Sequence, residues 1–173
     1  MLGLSCIFFL SCLSMMEQMN TGPIHITINK NVDQSKYKRI AVVPYDVMAY
    51  RGFGATGGKN GGETLADMYS SELLKIGYDV IERTRLTAVI NELQLQMTGL
   101  VNPATSSKVG NILGVQAMVF GTAAGKPGAW TCTSRLVDVE TGSLIWTIVT
   151  ETNLPKYAVP KLKKELDKYY SSK

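Results

Sequence analysis

KRIAVVPYD, residues 38–46, is the stretch that decides the fold. Charge bounds it, and Ile40-Ala41-Val42-Val43 runs apolar without alternation, the pattern of a strand covered on both faces. Pro44 has no N–H to give a ladder, so pairing is expected to stop near it. A glycine-rich run follows, RGFGATGGKNGGET at 51–64, and after it a helix. Thr64 and Asp67 stand at capping-box spacing. Leu65, Met68, Tyr69, Leu73 and Ile76 recur on one helical face, and Gly77 supplies the stop.

Downstream, Tyr78 to Glu82 reads as a short strand. Thr84 is placed to cap the next helix, whose Leu86, Val89, Ile90, Leu93 and Met97 share a face, with Gly99 at its end. Asn102-Pro103 starts another helix with a cap and a proline in its first turn. Val109, Ile112 and Leu113 form its face and Gly114 ends it. Val115 to Gly121 is a further buried strand, and Ala123 to Gly128 reads as a loop. Trp130–Val139 and Ser143–Thr152 form a hairpin around Glu140-Thr141-Gly142. In the second of these, apolar residues on both faces predict that both are largely covered. A last helix is expected after Val159-Pro160, with Leu162, Leu166 and Tyr169 in one stripe against Lys161, Lys163, Lys164 and Lys168.

Upstream, Ile24, Ile26 and Ile28 alternate with His25, Thr27 and Asn29, the period of a half-exposed strand at a sheet edge. The predicted order is β, β, α, β, α, α, β, β, β, α. Helix-linked strands should pair in parallel through right-handed crossovers, and the last three should form an antiparallel meander. The fold class is therefore α/β, a single-domain mixed sheet packed with helices on one or both faces.

Residues 1–16 carry no charge, and the apolar run around Ile7-Phe8-Phe9-Leu10 is far shorter than the roughly 20 residues a spanning helix needs. It reads as the apolar core of a signal peptide. Phe9-Leu10-Ser11-Cys12 resembles a lipobox, in which a thiol accepts the lipid and a small residue before it admits the peptidase. Leu4-Ser5-Cys6 is a poorer competing site. The organisation expected is a leader over 1–11, lipidation at Cys12, a tether over 12–23 and a domain over 24–173.

The inventory of reactive groups is thin. The 173 residues include one histidine, His25, and three cysteines, which removes most metal sites and nearly all histidine-dependent catalysis. His25 lies on the polar side of its strand with no second ligand near it in sequence. Carboxylates could be drawn together from Asp79, Glu82, Asp138 or Glu140, but each has a simpler use at a strand end or turn. A formal net charge of +4 is too mild to argue for nucleic acid. No catalytic residue, metal or cofactor is expected.

The glycine run does not carry the phosphate-binding patterns well. Gly58-Lys59 is followed by Asn60, and Phe53 stands where the first Walker glycine belongs. Gly52-Phe53-Gly54-Ala55-Thr56-Gly57 has dinucleotide spacing but does not open the helix directly. The run is read as a candidate partner-binding loop comprising Gly52, Gly54, Gly57, Gly58, Lys59, Gly61 and Gly62, with a nucleotide- or ligand-binding module as an alternative.

In order along the chain, KRIAVVPYD, GETLADMYSSELLKIGYDVIERTRLTAVINEL (62–93), NPATSSKVGNILGVQAMVFGTA (102–123) and SRLVDVETGSLIW (134–146) resemble the CsgG-like curli assembly/transport lipoprotein family. The resemblance implies a periplasmic α/β domain tethered by lipid to the outer membrane, with a channel-forming branch that assembles into rings. It also implies envelope or secretion proteins as partners, and homo-oligomerisation as a property to test. Channel-forming members insert two long β-hairpins. Here the corresponding connections, Ala123 to Gly128 and Asn153 to Ala158, are short, whereas a membrane-crossing hairpin needs on the order of 20 residues. The expectation is an accessory or scaffold lipoprotein that is not itself a pore. The alternative resembles the lipoprotein activators of peptidoglycan synthases, although some 11 tether residues reach at most about 40 Å.

Overall fold

The computed structural model describes residues 22–49, 61–93, 100, 102–126, 129–152 and 154–171. Strand β1 (Ile24–Ile28) is followed by β2 (Arg39–Val42), β3 (Asp46–Ala49), helix α1 (Gly61–Lys75), β4 (Asp79–Ile81), α2 (Arg83–Glu92) and α3 (Pro103–Leu113). Then come β5 (Ala117–Lys126), β6 (Ala129–Asp138), β7 (Leu144–Glu151) and α4 (Pro155–Ser171). One mixed sheet has the order β1-β7-β6-β5-β2-β4, with β3 also on β5. β2 pairs in parallel with β4 and β5, while β5, β6 and β7 form the antiparallel meander and β1 lies at the edge.

The apolar run at 40–43 feeds two cores. Ile40 and Val42 join Tyr69, Leu73, Leu136, Trp146, Ile148 and Leu162 on the face covered by α1 and α4. Ala41 and Val43 point the other way, to Ile81, Leu86, Ile90, Leu113 and Met118 under α2 and α3. A strand between two helical layers has no polar side, so its sequence cannot alternate. The helices thus cover both faces, and the predicted single α/β sandwich stands.

Pro44 interrupts pairing only briefly, so a strand is present where a loop was expected. β2 registers on β5 as Val42 to Val119, and β3 resumes as Asp46 to Thr122. Three residues on one side oppose two on the other, which makes Val43-Pro44-Tyr45 a bulge. β5 likewise runs on through Ala123–Lys126, held between β3 and β6, where small residues gave no apolar signal. Pro127 and Gly128 lie outside the described residues, as does Asn153.

Four helix details differ from the sequence reading. α1 begins at Gly61 rather than Thr64. α2 stops at Glu92, and Met97 and Gly99 lie outside the described residues; its N-cap is Glu82, while the Thr84 hydroxyl bonds the Glu82 carboxylate. Ile112 is 49% exposed, because α3 turns Ser106, Val109, Gly110 and Leu113 inward. α4 begins at Pro155, so Pro160 sits inside the helix instead of starting it. The second strand of the hairpin is also less covered than expected: Thr147 and Val149 are half-buried, since α2 and α3 pack over β2 and β5. The caps at Asn102 and Gly114 are as read: Asn102 accepts from the Ala104 N–H at 3.0 Å, and Gly114 is left-handed.

Candidate functional site

The glycine run enters α1 through its last two members. A methyl on Gly62 would overlap the Tyr45 carbonyl, and the Tyr45 N–H donates to the Gly62 carbonyl at 3.1 Å. Gly62 is therefore buried where the helix start crosses the bulge, and a Cβ placed on Gly61 would stand 4.0 Å from the Val47 side chain. Gly52, Gly54, Gly57, Gly58 and Lys59 lie outside the described residues, as do Cys12, the 1–11 leader and the tether to residue 21. The Thr64–Asp67 capping box does not form at the helix start. Asp67 instead accepts from Arg83 at 2.9 Å, and the same guanidinium reaches Glu63 at 3.1 Å, tying α1 to the start of α2.

Between α1 and the sheet lies a buried aromatic and polar cluster that sequence reasoning missed. The bulge throws the Tyr45 ring into the core, stacked on Tyr69 with centroids 5.1 Å apart, and the Tyr45 hydroxyl bonds Ser134 Oγ at 2.7 Å. The ring lies over Gly121, where any Cβ would overlap it. Tyr69 Oη is 3.9 Å from Cys132 Sγ. Burial pushes the Tyr45 and Tyr69 hydroxyls well above the ordinary tyrosine range and raises the Cys132 thiol. A buried thiol held protonated is no nucleophile. The sequence reading ended the strand at Gly121, which hid the signal: in the structure this glycine stands in mid-strand, where it marks a close approach.

The candidate carboxylates have local uses. Asp79 faces Arg39 at 3.6 Å. Asp138 Oδ1 accepts from the N–H groups of Glu140 and Thr141 at 2.8 and 2.7 Å, and its Oδ2 accepts from the Tyr37 hydroxyl at 2.9 Å. Burial alone would raise the Asp138 pKa, but these donors outweigh it and hold the carboxyl below the usual range. Tyr37 is pushed up to about 12 by burial and by the carboxylate beside it. This is turn chemistry, securing the β6–β7 corner to the entry of β2. Among the described residues, no group of three or more His, Cys, Asp or Glu is placed to hold a metal.

Among the described residues, the edge strand β1 is accessible on its polar side. His25 and Thr27 are exposed on β1, and Lys161, Lys164 and Lys168 of α4 line a groove beside it.

With this geometry in place, likeness to known proteins can be read. The GNA1162 lipoprotein of Neisseria meningitidis superposes with a TM-score of 0.53 at 16% identity, over 78% of this chain and 96% of that one. The LpoB C-terminal domain from Escherichia coli gives 0.52 at 16% identity, over 80% and 92%. At such identity the likeness establishes the fold. No curated protein matches the sequence significantly. The sequence pattern of the curli production assembly/transport component CsgG matches residues 24–125, from the edge strand through all but the last residue of β5. That is more than half of the 173 residues, and the chain belongs to the CsgG family.

Proposed function

We propose that this chain is a lipoprotein of the bacterial cell envelope. It is held at the periplasmic face of the outer membrane through Cys12, and it works without catalysis as an accessory or scaffold that binds other envelope proteins. The observation that carries the no-pore part is the way β5 and β6 are used. Each has ten residues, paired to each other from Ala117–Asp138 to Lys126–Ala129, with only residues 127 and 128 between them. β3 holds β5 as far as Gly125, and β7 holds β6 from Thr131 onward. A strand needs about 9–11 residues of its own to cross a bilayer. These strands are committed to the domain's sheet along nearly all their length. The exit of β7 is as tight: Glu151 ends the strand and Pro155 opens α4.

In-cell crosslinking of the tagged full-length chain, with identification of co-purifying envelope proteins, tests the scaffold reading. Secretion or fibre-assembly proteins are the expected catch. A peptidoglycan synthase would instead move the chain to the activator class. Conductance across planar bilayers carrying the purified chain would overturn the no-pore claim. Radiolabelled palmitate should label the wild type and not Cys12→Ala, which should leave the membrane fraction.

A further inference from the structure

We infer that the outer edge of β1 and the lysine row of α4 together form a docking groove for an extended acidic segment of a partner protein, taken up as an eighth strand. The Asn29 N–H donates to the Ile145 carbonyl at 2.9 Å, and the Glu151 N–H donates to the Pro23 carbonyl at 3.1 Å. Both pairs lie on the β1–β7 register, in which Ile24 faces Thr150 and Ile28 faces Trp146. In an antiparallel ladder, bonded and non-bonded pairs alternate. The odd residues 23 to 29 therefore turn their polar groups to β7, and Ile24, Ile26 and Ile28 turn theirs outward. Among the described residues β1 pairs only with β7, and this outward row has no strand partner.

A groove of about 440 Å³ runs along this edge, lined by residues 24–27 of β1 and by Lys161, Lys164, Glu165 and Lys168 of α4. All three lysines are exposed. Glu165 is paired with Lys168, which leaves Lys161 and Lys164 as excess positive charge. At about 1.5 Å rise per residue the three lysines span some 10 Å along the helix axis. Alternate residues of an added strand are about 6.8 Å apart and point to the same face, so two acidic residues in alternate positions fall within reach of the row. Backbone pairing would give affinity and the lysines sequence preference, as in strand addition generally.

Charge also selects among occupants. The opposite edge of the sheet, β4, offers a second copy only three residues, and its Asp79 is already held by Arg39. A separate acidic strand is the better match.

This deepens the scaffold reading, on which it rests for the occupant being another protein. The probe is a fluorescein-labelled octapeptide alternating glutamate and threonine, with its lysine–threonine counterpart as control, titrated against the full chain. The glutamate peptide is expected to bind, to weaken with added salt, and to weaken at least tenfold with Lys161→Glu/Lys164→Glu/Lys168→Glu. Amide hydrogen exchange should slow at Ile26 and Ile28 on binding and stay unchanged at Thr27, already bonded to β7. If the triple variant melts early, Lys161→Gln/Lys164→Gln should still weaken binding severalfold. Absence of binding, equal binding of the lysine peptide, or protection without the even–odd pattern overturns the proposal. So does displacement of the peptide by phosphatidylglycerol vesicles, or lysine-dependent self-association in sedimentation. A chain that binds the peptide yet crosslinks to no envelope protein fails the scaffold reading; one that crosslinks but ignores the peptide fails this inference alone.

Discussion

Gly121 and Tyr45 are one feature seen from two strands. A bulge at Pro44 needs somewhere to send the next side chain, and here the ring crosses β5 at Gly121, which has no Cβ to meet it. Ser134, opposite Gly121 in the register, supplies the hydroxyl that satisfies the buried phenol. Gly121→Ala is therefore expected to cost about 1–3 kcal/mol by overpacking. In a Tyr45→Ala background, where the ring is gone, the same change should cost less than about 1 kcal/mol, a coupling that urea unfolding of the four proteins would measure. Strict additivity would sink the account. Tyr45→Phe keeps the ring and should lose about 1–2 kcal/mol, since it removes a partner of the buried Ser134.

The elements whose edges were misread are those where a backbone contact overrode side-chain periodicity. For α3, spacing placed Ile112 beside Val109 and Leu113, but the helix seats Gly110 against Val139, whose side-chain atoms lie 2.8–3.0 Å from where a Cβ would stand. That close approach rotates Ile112 outward. Leu113→Ala is expected to cost about 2–5 kcal/mol, Ile112→Ala to stay within about 0.5 kcal/mol, and Gly110→Ala to resemble the core change; thermal denaturation of the three variants checks the ranking. The α/β class, the edge position of β1 and the meander were all legible, because KRIAVVPYD and IHITI carry their environments in their polarity. β3 and the end of β5 were not, since Ala123, Ala124 and Gly125 have almost no hydropathy to read and owe their strand state to neighbours on both sides. The helix start at Gly61 was hidden for a related reason: glycine is a poor helix former, and Gly62 is tolerated because nothing larger fits under Tyr45. Of the candidate partner surfaces, the β1 edge could be read from alternation alone, whereas its lysine wall needed the placement of α4.

At the scale of the whole molecule, two helical layers on one sheet leave four of the eight tyrosines ionising late. Tyr37 and Tyr78 are pushed up to about 12, chiefly by burial, and burial likewise raises Tyr45 and Tyr69 well above the ordinary tyrosine value. For an acid whose folded pKa is raised, the neutral form is the one the fold prefers. Its contribution is constant below the unfolded value near 10 and is lost as pH rises from there through the folded value. Asp138 has the opposite sign: its depressed pKa gives stability that is present above the ordinary carboxylate range and lost as pH falls below about 4. Melting temperature should therefore be flat between these limits, dropping on the acid side through Asp138 and on the alkaline side through the tyrosines. Asp138→Asn removes the acid-side contribution, since no carboxyl remains to protonate. It also takes the negative charge from beside Tyr37, so that this phenol should titrate closer to 10. The alkaline limb is checked by following tyrosinate absorbance at 295 nm and far-ultraviolet circular dichroism together. At least four phenols should ionise only with the loss of secondary structure. Reversible titration of all eight near pH 10 in a folded chain would mean that Tyr45, Tyr69 and Tyr78 reach solvent, and that the two-sided packing described above is wrong.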